Sequence, residues 1–164
     1  MKEFLIEMFD MNQVANIKMV SALKEITSPE EGIRHLSHLV NCQYKWLDRI
    51  NVFPETSTLD WWEPVYSLEE MPHHFIKSTR QWIIFLSGKS EDVLNSLVHY
   101  TGYDGSNWEV QLKDVALQLI FHSFHHRAQI QMMIKFQGFQ PGFIDYIGYK
   151  QKKIRSDLIT PDFF

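Results

Sequence analysis

Cysteine is almost missing from this 164-residue sequence: the single Cys42 excludes an internal disulfide and fits a reducing compartment. An excess of positive charge is missing as well. With 16 Lys and Arg against 20 Asp and Glu, the formal charge is -4 and the pI is near 6.0. No broad basic field is present to neutralise phosphates, so nucleic acid is not an expected partner. No apolar run approaches the roughly 20 residues of a membrane-spanning helix. The opening Met1-Lys2-Glu3-Phe4-Leu5-Ile6-Glu7 interrupts its apolar residues with acids too early for a signal peptide. A cytoplasmic location without a membrane partner is the expectation. Internal repeats are absent, and a chain of this length holds one core more readily than two, so residues 1–164 read as one domain.

What the sequence does contain is a large apolar and aromatic share: 45% hydrophobic residues, five Trp and twelve Phe, enough for a heavily aromatic interior. Across residues 3–26, Phe4, Met8, Met11, Ala15, Met19, Ala22, Leu23 and Ile26 recur at three- and four-residue spacing and predict a first helix. Ser28-Pro29-Glu30-Glu31 has the form of a capping box with proline at the first helical position, opening a second helix to about residue 50. Residues 51–66, with Pro54 and Pro64, predict a long loop carrying Trp61 and Trp62, placed to cover a pocket. Ser67-Leu68-Glu69-Glu70 repeats the capping-box form before a third helix that stops at Ser87-Gly88. Pro72 sits one turn in and predicts an offset first turn. Tyr103-Asp104-Gly105-Ser106 marks a turn between two β-prone runs, residues 93–100 and 108–111. Residues 112–136 form the longest helical segment, ended by Gly138 and Pro141, and a short helix is expected within residues 144–155. These are the parts of an all-α four-helix bundle with a small β-hairpin before the last long helix.

The chemistry concentrates in histidine. His122 and His126, four residues apart, share one helix face and lie close enough to hold one metal ion. At about 100° per residue from Lys113, they fall near roughly 180° and 220°, in line with Val115, Leu119, Ile130 and Met133. Both point inward. His125, near about 120° on the same wheel, falls with Asp114, Gln118 and Gln129 on the wet side. Two buried imidazoles without partners would cost about 1–3 kcal/mol each; a metal ion removes that cost, and so does a satisfied core network. A neighbouring helix supplies the next ligand in a bundle site, and the second helix carries His35 and His38. Periodicity alone favours His35 slightly, because His38 lies further from the apolar stripe of Ile33, Leu36, Leu39, Val40 and Leu47.

Two segments carry a family resemblance. The first runs from Leu36 through His38, Cys42 and Trp46-Leu47 to Arg49. The second is His122-Ser123-Phe124-His125-His126-Arg127-Ala128-Gln129-Ile130, followed by Gly138, Pro141, Asp145 and Tyr149. Together they resemble the DinB/YfiT-like family of metal-dependent enzymes, over nearly the whole chain in element order. The resemblance implies a four-helix bundle in which His38, His122 and His126 bind one divalent metal ion, commonly zinc or nickel. It thus favours His38 over His35, and a polar setting suits an open site. It also implies a homodimer acting on a small molecule. Some relatives transfer a low-molecular-weight thiol, bacillithiol or mycothiol, to electrophiles, so a thiol transferase is the leading expectation. A metal-dependent hydrolase and a non-catalytic, metal-binding stress-response protein stand beside it. No glutamate follows His122 as in His-Glu-x-x-His proteases, so no general base is evident for hydrolysis. Cys42 reads as packing. Arg127 reads as steering an anion or pairing with an acid such as Asp145, and His99 and Trp108 as core or wall.

Overall fold

The computed structural model of the chain describes residues 1–151. Four long helices, α1 (Lys2–Leu23), α2 (Glu30–Val52), α3 (Met71–Ser87) and α5 (Leu112–Phe136), form the bundle. Between α3 and α5 come a one-turn helix α4 (Glu91–Asn95) and a hairpin of β1 (Leu97–Thr101) and β2 (Asn107–Gln111), and α6 (Tyr146–Lys150) follows. Helix α1 packs mainly on α3 and α5, and α2 packs on the same two, so the order around the bundle is α1, α3, α2, α5. Helices α2 and α5, which carry the candidate histidines, are therefore neighbours.

The fourth long helix has the bounds its periodicity predicts. Its stop is Gly138, at φ +85°, where a left-handed backbone suits glycine. The hairpin pairs antiparallel from Leu97 opposite Gln111 to Thr101 opposite Asn107. Residues 93–96, expected to start its first strand, do not belong to it. Ser90 accepts a hydrogen bond from the Val93 amide, and Glu91 and Asp92 fill the first turn, so α4 forms instead. Of the short helix expected after residue 144, α6 is present, and residues 152–155 lie outside the described part.

The two capping-box sequences part company. Ser67 and Glu70 do bond reciprocally, the Glu70 amide donating to Ser67 Oγ at 3.3 Å and the Ser67 hydroxyl donating to Glu70 Oε2 at 2.7 Å. They close the turn that precedes α3, offset from it as Pro72 predicts. Ser28 makes no side-chain cap. Its backbone amide and carbonyl are instead held by the Gln137 side-chain amide at the end of α5, both at 3.0 Å. Glu31, freed from capping, turns to His35.

Two apolar clusters fill the bundle. One gathers Leu5, Phe9, Trp82, Leu86, Leu119 and Ile120, with Phe9 stacked on Trp82 at 5.3 Å. The other gathers Met19, Leu23, Leu36, Phe75, Ile130 and Ile134. Every long helix places buried polar residues between these clusters: Asn12 and Asn16, then His35, Ser37, His38 and Asn41, then Ser78 and Thr79, then Ser123, His126 and Arg127; α2 adds Gln43, Lys45 and Arg49 further along, beside Cys42 and Trp46 of the first cluster. The bundle has a polar waist.

Candidate metal centre

Four imidazoles meet at the waist on the α2–α5 side. His35 and His38 are buried, as is His126; His122 is half-buried and His125 is exposed, as the helical wheel predicts. His38 Nε2 lies 2.8 Å from His122 Nε2, and His35 Nδ1 lies 2.7 Å from His126 Nδ1. The His122 and His126 ring centroids are 4.4 Å apart, and those of His38 and His126 4.9 Å. The structure thus brings His38, His122 and His126 together and adds His35. On α2 the two histidines are three residues apart, close enough in angle for both to reach the neighbouring helix.

The hydrogen bonds fix which ring nitrogens are free. His38 Nδ1 lies 2.8 Å from the Trp61 carbonyl, which only accepts, so Nδ1 carries the proton and Nε2 presents its lone pair to the cluster. His35 Nε2 faces Glu31 Oε1 at 3.4 Å. With its proton held there, His35 Nδ1 accepts from His126 Nδ1–H, which leaves His126 Nε2 unprotonated. Burial, reinforced by the neighbouring histidines, lowers His122 to about 4 and His126 to about 3. Burial lowers His35 and His38 as well. At neutral pH all four rings are uncharged, the form that ligates metals.

Cys42, one turn after His38, is the residue sequence reasoning passed over. Its Sγ is 3.4 Å from His38 Nε2, and the ligand atoms of His38, Cys42 and His122 lie within 4.8 Å of one another. The one-turn spacing from His38 was the available signal. Burial pushes the thiol up to about 12, so it is protonated at neutral pH. Imidazole with one optional thiol is a donor set suited to divalent transition-metal ions. His38 Nε2, Cys42 and His122 bring their ligand atoms close enough together for a divalent ion, while His126, ring to ring with His122, lies outside that group.

A cavity of about 330 Å³ opens beside the cluster, walled by His38, Cys42, Trp46, Trp61, Trp62 and His122. Trp62 stacks on His38 at 4.0 Å. The loop tryptophans are therefore the pocket wall, as their position in the sequence suggests. A larger groove of about 660 Å³ between α2 and α3 contains none of the histidines.

Other expectations are corrected. Among the described residues Arg127 meets no acid: its guanidinium donates to Asn12 Oδ1 and, at 2.8 Å, to Asn16 Oδ1, facing α1 rather than the cavity. Asp145 lies elsewhere, exposed. His99 and Trp108 are exposed on the hairpin rather than buried.

The sequence profile of the DinB family matches residues 1–157. The crystal structure of a DinB-like protein from Bacillus cereus ATCC 10987 is similar with a TM-score of 0.61 at 18% identity, covering 86% of this chain and 95% of that one. No curated protein matches the sequence. No helix among the described residues is long and apolar enough to cross a membrane. The chain belongs to the DinB family.

Proposed function

We propose that His38, His122 and His126 hold one divalent ion, zinc or nickel, and that the protein transfers a low-molecular-weight thiol of the bacillithiol or mycothiol type to an electrophilic small molecule. The observation that carries this reading is the approach of His38 Nε2 to His122 Nε2 and Cys42 Sγ, beside a 330 Å³ aromatic cavity, with the His126 ring against His122. A bound ion supplies Lewis acidity, which lowers the pKa of a thiol or water in its open position. The chain's own residues do the rest. His35, tethered to Glu31, orients His126; the Trp61 carbonyl orients His38; and Trp46, Trp61 and Trp62 form a wall that sheds water and accepts a flat or apolar electrophile. Among the described residues no Asp or Glu lines this cavity, so a general base for hydrolysis is missing and thiol transfer is favoured. We also propose a homodimer, on the resemblance, and sedimentation velocity tests it.

The test is elemental analysis of protein purified without added metal or a histidine tag, followed by thiol-transfer assays with several thiols and a generic electrophile. Near-stoichiometric metal, lost in His38→Ala and His122→Ala, together with turnover lost in His126→Ala, is the expected result. Wild-type protein that takes up no metal overturns the site. Stoichiometric metal without turnover on any thiol leaves a non-catalytic binder.

A further inference from the structure

Helix α2 continues past the histidines into a second cluster. Three and seven residues beyond Cys42 come Lys45 and Arg49, only 2% and 7% exposed. The Arg49 guanidinium is enclosed by the rings of Trp46, Trp61, Tyr100 and Tyr103, at 4.8 to 5.5 Å from their centroids. Lys45 Nζ lies 4.9 Å from Trp61 and 5.0 Å from Tyr103. Two cations thus share one aromatic box, and Trp46 and Trp61 are also walls of the cavity beside the histidines.

Ring faces offset the charge of a guanidinium but do not accept its five N–H bonds, which lie in its plane. Among the described residues Arg49 has no ion pair, and its Nε is sealed without a partner. Lys45 donates to the Leu59 carbonyl alone, leaving two of its three donors. Two acids act on Lys45 from a distance without an ion pair among the described residues: Asp60, which accepts from the Trp62 and Glu63 amides at 2.7 and 3.0 Å, and Asp48. A buried cation pair without an anion is costly. A planar carboxylate or a phosphate, gripped in two-point fashion by Arg49, satisfies it.

We infer that Lys45 and Arg49 form an anion-binding subsite, and that the ligand is a small molecule with a carboxylate or phosphate at one end. At 1.5 Å per helical residue, Arg49 lies about 10 Å along α2 from Cys42. The ligand's other end then enters the Trp46–Trp61 cavity toward the histidines. That end rests on the transferase reading above; the anion subsite does not.

The probes are benzoate, its uncharged isostere benzamide, and inorganic phosphate, followed by tryptophan fluorescence and calorimetry on the purified protein. Saturable binding of benzoate or phosphate, with benzamide weaker by about ten-fold or more, is expected. The same loss is expected for benzoate in Arg49→Gln and Lys45→Gln, with partial rescue in Arg49→Lys. Binding that survives in His122→Ala places the anion at Arg49 rather than on a metal ion, even if the transferase reading fails. Equal binding of benzoate and benzamide by the wild type overturns the subsite whether or not the variants fold. So does benzoate binding that is lost in His122→Ala but intact in Arg49→Gln.

Discussion

At the scale of the residue, the proposed centre divides the histidines into three ligands and one that holds a neighbour in place. His35 faces His126 through Nδ1 and Glu31 through Nε2, a chain that sets a tautomer. Outer partners of this kind change metal affinity by about 10- to 100-fold. His35→Ala is therefore expected to retain one equivalent of metal but to lose it to a competing chelator at about 10- to 100-fold lower concentration, whereas His126→Ala takes up none. Metal absent from His35→Ala yet present in His38→Ala would reverse the assignment on α2. The wheel could not separate these two histidines, because it measures angle about one helix and ignores what approaches from the next. The Trp61 carbonyl, which gives His38 its inward lone pair, comes from the loop and has no periodic signature. Cys42 read as packing for the opposite reason: a small residue on an apolar face looks like filler, despite its one-turn spacing from His38, until the ring beside it is located.

At the scale of the element, local signals held where nothing distant competed with them. Ser67 and Ser28 begin the same Ser-x-x-Glu pattern, yet only Ser67 caps, because Gln137 reaches Ser28 from the far end of α5. Ser67→Ala is expected to lower stability by about 1 kcal/mol. Ser28→Ala should change the denaturation midpoint hardly at all, since its hydroxyl caps nothing; equal losses would show that the sequence pattern outweighs the observed bonding. Helices α1 and α5 are joined by a different device. Arg127 is nearly inaccessible and donates to Asn12 and Asn16, while Asn12 Nδ2 donates to Ser123 Oγ at 3.0 Å. Removing one member strands the others, so Asn12→Leu and Arg127→Met combined should destabilise less than the sum of the two single losses. A double-mutant cycle by urea denaturation is expected to give a coupling of about 0.5–3 kcal/mol; an additive pair would mean the network contributes nothing as a unit. The sequence offered Arg127 only as a charge in search of an acid, because a neutral partner on a helix a hundred residues away leaves no local trace.

At the scale of the whole molecule, the periodicity that made the four helices legible says nothing about where the core is interrupted. Two apolar clusters bracket a layer in which Asn16 Nδ2, Thr79 Oγ1 and two nitrogens of Arg127 have no partner among the described residues. This waist leaves several buried polar atoms unpartnered among the described residues, and the histidine cluster occupies its α2–α5 side. In the proposed centre, ligation by His38 from α2 and by His122 and His126 from α5 would clamp that layer. A ligand that binds only the folded chain at 1,000 times its Kd adds about 4 kcal/mol of stability. In a chain of this size that raises the melting temperature by on the order of 10 °C. Calorimetry of the protein with and without a strong chelator should show this difference, and His122→Ala should melt at the lower temperature under both conditions. If wild-type protein shown to contain metal melts identically with and without its removal, the ion does not clamp the bundle, and the waist must be held by the Asn12–Arg127–Asn16 network alone.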